Sequence, residues 1–380
     1  MNTDNRRHLF HLCPSVHLWR TLGFFLRGLC WPRCSLWSAF SVFAVKARTL
    51  RSVIALVRGG PPPTLICVSE AIVQIDGLSF SYGSRLALDD LSLRIDAGEI
   101  FGFLGPNGSG KTTLFRILST LVAAPPSKVR ILGFDAATDR DEIRSRIGVV
   151  FQSPSLDKQL TADENLMHQG HLYGIRGGEL RLRTRQALAA VGLGERSREL
   201  VGQFSGGMRR RVEVAKGLLH HPQLLLLDEP STGLDPLARI DLWRHLRQIN
   251  QQDGVTILLT THLMEEADRC SRLAIMERGR LLACGAPIAL KERIGGDVIT
   301  IASSKAAEVR AILHDRFGVE AQELDGVLRL ERRRGHEFVP QLIEAAPGLI
   351  NSISVGKPTL EDVFIHLTGQ RFKESDSSST

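Results

Sequence analysis

The segment that most constrains this chain is Gly105-Pro-Asn-Gly-Ser-Gly-Lys-Thr112, which follows the apolar run Ile100 to Leu104 and opens the helically spaced run Thr112 to Leu121. Its glycines let successive backbone N–H groups turn inward around a tetrahedral anion, and the helix start adds the positive end of its dipole. In the spacing Gly-x-x-x-x-Gly-Lys-Thr, the lysine reaches the outer phosphates of a nucleotide and the hydroxyl beside it is placed to ligate Mg²⁺. The cradle is therefore assigned to Gly105, Pro106, Asn107, Gly108, Ser109, Gly110, Lys111, Thr112 and Thr113.

The strand before that loop is one of a series. Ile100 to Leu104, Val129 to Leu132, Ile147 to Phe151, Leu224 to Leu227, Val255 to Leu259 and Leu273 to Met276 are apolar on both faces. Such runs predict a parallel sheet covered by helices on each side. Ala71 to Phe80 and Leu91 to Ile95 instead alternate with period two, which predicts an antiparallel piece. Between Ser153 and Ala215 lies a helix-rich insert, with Arg181 to Val191 and Met208 to Leu219 as its clearest helices. Beyond Gly285-Ala-Pro287 a mixed α+β segment runs from about Gly296 to Gly369, including Val298 to Ile301, Ala306 to Phe317 and Gly326 to Leu330.

A second group of residues completes the chemistry. Leu224-Leu-Leu-Leu-Asp228-Glu229 is a buried strand that delivers two carboxylates at its C-terminal end, where open parallel sheets bind ligands. Asp228 is the candidate to hold the metal ion, and Glu229 the candidate to orient or deprotonate an attacking water. Phe204-Ser-Gly-Gly-Met-Arg-Arg-Arg211 sets a serine and two glycines at a helix start, able to present a hydroxyl and N–H groups to a phosphate. Ser205 also reads simply as a helix N-cap.

This octapeptide resembles the signature motif of ABC ATPases, with Phe204 where leucine is usual and Met208 where glutamine is. The resemblance covers Ala71 to Ala286 and implies a P-loop NTPase core of RecA-like type. It assigns nucleotide contacts to Ser205, Gly206 and Gly207, and identifies Gln152 as the glutamine that touches both nucleotide and Mg²⁺. It further implies that His262 is the switch histidine, catalytic together with Lys111 and Glu229, that Thr232-Gly-Leu-Asp235 crosses a dimer interface, and that Tyr82 stacks on adenine. Lys357-Pro-Thr-Leu-Glu-Asp-Val-Phe364, with Leu367-Thr-Gly369, resembles the C-terminal element of ABC-2-type exporters of drugs, nodulation factors and polysaccharides. Together these likenesses imply an ATP-binding, ATP-hydrolysing subunit, peripheral on the cytoplasmic face of the membrane. Such a subunit would pair with itself or a homologous ATPase and power export through a separate integral-membrane permease.

The alternative within the same family is a non-transport ATPase working on nucleic acid or the ribosome. Charge argues against it. Residues 1 to 60 hold nine Lys or Arg against Asp4, a net of +8, and since the whole chain is +7 the remainder is −1, which leaves no phosphate-backbone footprint on the core. Translation factors of this family usually carry two cassettes and repair factors long coiled coils, whereas this chain has one phosphate loop and one signature.

The divisions expected are a basic N-terminal extension over 1–67, an ABC ATPase domain over 68–290 with its helical subdomain at about 153–215, a small C-terminal domain over 291–370 and a disordered tail over 371–380. Within the extension, the apolar windows Thr21 to Trp31 and Ser35 to Val45 are about 11 residues long, short of the ~20 that span a bilayer. The next methionine after Met1 is Met167, and Val68 is the expected alternative start of translation. Cys30 and Cys34 lack a second Cys or His pair at zinc-finger spacing, so no metal site is expected there.

Overall fold

The computed structural model describes residues 71–372, so the extension, the Val68 start and the tail beyond Phe372 lie outside the described residues. The elements run β1 (Ala71–Tyr82), β2 (Arg85–Asp96), β3 (Ile100–Leu104), α1 (Lys111–Leu118), β4 (Val129–Ile131), β5 (Phe134–Asp135), α2 (Arg140–Arg144), β6 (Ile147–Val150), α3 (Ala162–Leu172), α4 (Gly177–Ala190), α5 (Gly206–Leu218), β7 (Leu224–Asp228), α6 (Pro236–Asp253), β8 (Thr256–Thr261), α7 (Met264–Ala267), β9 (Arg272–Glu277), β10 (Arg280–Gly285) and α8 (Pro287–Glu292). They continue with β11 (Asp297–Ala302), α9 (Ala306–Phe317), β12 (Gln322–Leu324), β13 (Val327–Arg332), α10 (Gly335–Ala345), β14 (Ser352–Gly356) and α11 (Leu360–Thr368).

The central sheet has the order β10-β9-β3-β8-β7-β6, parallel from β9 to β6 with β10 antiparallel at one edge. The inner residues of its parallel strands are apolar on both faces because they feed two cores. Leu225 and Leu227 of β7 face the cluster built with α3 to α6, while Leu224 and Leu226 face the cluster built with β1, β2 and α1. β3 and β8 split in the same way, with Phe101, Phe103 and Leu258 on the second side and Ile257 and Leu259 on the first.

The segment Val129 to Leu132 departs from expectation. It does not join the parallel sheet; β4 pairs antiparallel with β1, in a sheet ordered β2-β1-β4-β5. The reason lies in its short length and in Arg130, which is exposed between buried Val129 and Ile131, so this strand has one buried face.

After α8 the chain forms a βαββαβ unit, all antiparallel, with β11 central between β13 and β14. This is the split βαβ arrangement. Its own core includes Ile299, Ile301, Val309, Leu313, Leu328, Phe338 and Leu342. A further apolar cluster crosses position 290, joining Leu104, Leu273 and Ile275 of the central sheet to Leu290, Ile294, Leu360, Val363 and Phe364. Phe372 packs edge-on against Phe364 at 5.0 Å and Arg371 pairs with Asp325, so these two residues are seated although the tail was expected to start at 371. Among the described residues no helix is long and apolar enough to cross a membrane.

Candidate active site

The phosphate loop joins β3 to α1. Gly110, the N-cap of α1, has φ +100°, and a Cβ there would stand 2.8 Å from the Ala87 carbonyl oxygen, so only glycine fits. Gly279, in the β9–β10 turn, donates its N–H to the Ser109 carbonyl, and its own carbonyl accepts from Asp89 N–H. The loop is thus clamped between β2 and the β9–β10 turn. Buried Lys111 donates to the carbonyls of Gly105 at 2.6 Å and Pro106 at 3.0 Å, folding its ammonium back over the loop. Burial pushes its pKa down, opposed by Glu229 and Asp228. Ser109 Oγ is buried without a hydrogen-bond partner, an orphan hydroxyl inside a glycine cradle.

β7 ends at the carboxylates. Asp228 is buried, its Oδ1 accepts from Thr260 Oγ1 at 2.5 Å, and desolvation raises its pKa. The same Thr260 hydroxyl oxygen accepts from Glu229 N–H at 3.0 Å, so one side chain of β8 braces both acidic residues. Glu229 lies in the left-handed region at φ +42°. Gln152 Nε2 and Thr232 Oγ1 donate to its Oε2 at 3.2 and 3.1 Å, and His262 Nδ1 lies 3.2 Å from Oε1. The His262 contact, more than Lys111, holds its carboxyl below the usual range, so it is ionised at neutral pH. Glu229, Gln152, His262 and Thr232 therefore form one cluster around a carboxylate.

Other expected residues lie elsewhere. Ser205 is an exposed N-cap whose Oγ accepts from Met208 N–H at 3.2 Å, at the start of a helix packed on α3, α4, α6 and β6. Tyr82 stands at the tip of the β1–β2 hairpin, 44% exposed, with its ring edge-on to Phe80 at 5.1 Å. Thr112 is exposed at the start of α1 and Thr113 half-buried. Thr260 and Arg210 were not foreseen. Thr260 extends the apolar strand Val255 to Leu259 by one polar residue, and Arg210 is hidden in a run of three arginines.

The geometry suits hydrolysis of a nucleotide phosphoanhydride, and the comparisons with known proteins point to the same chemistry. The sequence profile of the ABC transporter family matches residues 88–232. The chain is 36% identical over 322 residues to the daunorubicin resistance ATP-binding protein DrrA3 of Streptomyces coeruleorubidus, covering 81% of this chain and 100% of that one. The chain belongs to the ABC transporter family. It is the ATP-binding, ATP-hydrolysing subunit of a transporter of this family. Another ABC relative, the Nod factor export ATP-binding protein I of Sinorhizobium fredii, is 40% identical over 310 residues, covering 80% of this chain and 88% of that one. The linearmycin resistance ATP-binding protein LnrL of Bacillus subtilis is 34% identical over 313 residues, covering 80% of this chain and all of that one. Among solved structures, a dimeric ATP-binding cassette in a post-hydrolysis state with ADP and phosphate matches at TM-score 0.51 and 29% identity, over 56% of this chain and 98% of that one.

The two departures from the usual ABC signature share one partner. Arg196 lies over the Phe204 ring at 5.3 Å and donates to Met208 Sδ at 3.2 Å, while Glu199 holds its guanidinium through two hydrogen bonds. Aromatic face and thioether thus replace leucine and glutamine together, around a single cation.

Proposed function

We propose that two copies of this subunit, or one copy and a homologous ATPase, sandwich ATP between the phosphate loop of one and the Ser205 to Gly207 signature of the other, and so drive export through an integral-membrane permease at the cytoplasmic face. The observation that carries this reading is the division of the expected phosphate ligands. The loop, with its orphan Ser109 hydroxyl, is clamped by the β9–β10 turn through Gly279, whereas Ser205 stands exposed at the head of α5. The dimeric cassette among the solved relatives and the export functions named for the curated relatives support it.

In this reading Lys111 leaves the Gly105 and Pro106 carbonyls for the nucleotide phosphates, and the loop N–H groups and Ser109 Oγ complete the cradle. Tyr82 meets the adenine from the hairpin tip. Thr112, Asp228 and Gln152 form an oxygen-donor set suited to Mg²⁺, which when bound neutralises charge on the phosphates. Glu229 and His262, already in contact, orient the attacking water and the terminal phosphate. Closure is favoured only while that phosphate bridges both halves.

The test is Glu229→Gln in the full chain. ATP binding should persist, turnover should fall by about 10²-fold or more, and the subunit should accumulate as an ATP-bound dimer in size-exclusion chromatography. Undiminished turnover, or a variant that stays monomeric with ATP bound, overturns the assignment.

A further inference from the structure

Three successive arginines in α5 have three different destinations. Arg209 donates to the Phe204 carbonyl at its own helix start, and Arg211 to the Val191 carbonyl at the end of α4. Arg210 turns into the catalytic face and is 9% exposed. Its Nε donates to the Pro230 carbonyl at 2.9 Å, its Nη2 to the Asp228 carbonyl at 2.8 Å and its Nη1 to the Phe151 carbonyl at 2.6 Å. The first two acceptors bracket Glu229 in the chain, and the third immediately precedes Gln152.

The same helix face continues the grip. Glu213, three residues on and also buried, accepts from Ser155 N–H at 2.6 Å and Ser155 Oγ at 2.8 Å, and Lys216 Nζ donates to the Ser155 carbonyl at 3.0 Å. Residues i, i+3 and i+6 of one helix therefore hold both ends of the 151–155 segment. A planar guanidinium with fixed donors suits this task because it sets three carbonyls in one plane, which an ammonium cannot do. The left-handed backbone at Glu229 needs such support, since a non-glycine residue in that region persists only where its surroundings over-determine it.

We propose that Arg210 is a positioning residue, which fixes Glu229 and Gln152 to the helix that begins at Ser205. The signature of each subunit is thereby joined rigidly to its own catalytic carboxylate. Resting on the sandwich reading above, this means that engagement of Ser205 by the partner's nucleotide is transmitted along α5 to the Glu229 of the same chain.

The experiment compares Arg210→Ala and Arg210→Lys with wild type in the full chain. Expected for Arg210→Ala is ATP affinity close to wild type with kcat lowered about 10²-fold, the cost of a roughly 1 Å misplacement of catalytic groups. Arg210 lines a cavity of about 260 Å³ shared with Gln152, Glu213, Glu229 and Leu234, so soluble guanidinium at millimolar concentration should enter and raise kcat in Arg210→Ala alone. Amide exchange over 151–155 and 228–232 should accelerate in that variant without a matching rise elsewhere. Arg210→Lys keeps the charge but loses the planar fork, and should retain the kcat defect at normal ATP affinity. A wild-type kcat in either variant overturns the proposal. So does a joint loss of kcat and ATP affinity in Arg210→Lys, the outcome of a purely structural role. Turnover surviving in Glu229→Gln would instead overturn the underlying site reading, whereas an inactive Glu229→Gln beside a normal Arg210→Ala would sink only this inference.

Discussion

Side chains at the end of β7 show how one strand terminus makes two carboxylates different. Glu229 is held ionised by His262, Thr232, Gln152 and Lys111, while Asp228 is desolvated and has one hydroxyl donor, Thr260. A carboxyl whose folded pKa is raised favours folding at low pH, and that advantage is lost as pH rises from its ordinary value through the raised one. At neutral pH Asp228 is therefore a cost to the fold. Asp228→Asn, which does not titrate and keeps the Thr260 contact, should melt higher than wild type at pH 7, with the gap closing as pH falls toward the ordinary carboxylate range. Its turnover should drop by about 10²-fold or more if Asp228 holds the metal ion. Thermal melts across pH and an ATPase assay check both halves, and a lower melting temperature at pH 7 would contradict the assignment of cost. In the sequence these carboxylates were legible because they follow an unbroken apolar strand. Thr260 was not, since nothing local marks a hydroxyl that braces residues more than 30 positions away.

Among the elements, α5 carries most of the consequences. Its outer face holds the cap at Ser205 and its inner face Arg210, Glu213 and Lys216, so one helix holds both the exposed signature and the exposed 151–155 segment. Close approach to α6 keeps it in place. A Cβ at Gly207 would meet Ala238 Cβ at 2.5 Å, and neither is a flexible tip that can move aside. Gly207→Ala should therefore push the helices apart at a cost of about 1–3 kcal/mol, read as a lower melting temperature, and should slow hydrolysis by moving Arg210 with the helix. An unchanged melting temperature would show that the contact relaxes freely. The helical pattern Met208 to Leu219 is readable from spacing, but spacing does not distinguish one arginine of the run of three from another. Only packing separates Arg210 from its neighbours.

In the whole molecule, the C-terminal unit has a core of its own, and α11 ties it to the ATPase sheet, with Asp362 accepting from Arg329 of β13 while Phe364 packs in the cluster of Leu273 and Ile275. Phe364 is 2% exposed in the cluster that includes Leu104 of β3, the strand that leads into the phosphate loop. Phe364→Ala should cost about 3–5 kcal/mol and loosen α11, seen as a lower melting temperature and as proteolysis near Lys357, with ATP affinity reduced less than stability. Stability equal to wild type would mean that α11 is not seated as described. The sequence alone was sufficient for the phosphate loop, the acidic strand end, the helical insert and the family, because each depends on residues adjacent in the chain with a chemically narrow spacing. Tertiary structure decided that Val129 to Ile131 pairs antiparallel with β1, that Glu229, Gln152, Thr232 and His262 meet, that Arg210 grips two loops, and that α11 belongs against the central sheet. These are contacts between segments far apart in the chain, set by which faces bury together, and no local pattern records a partner's address.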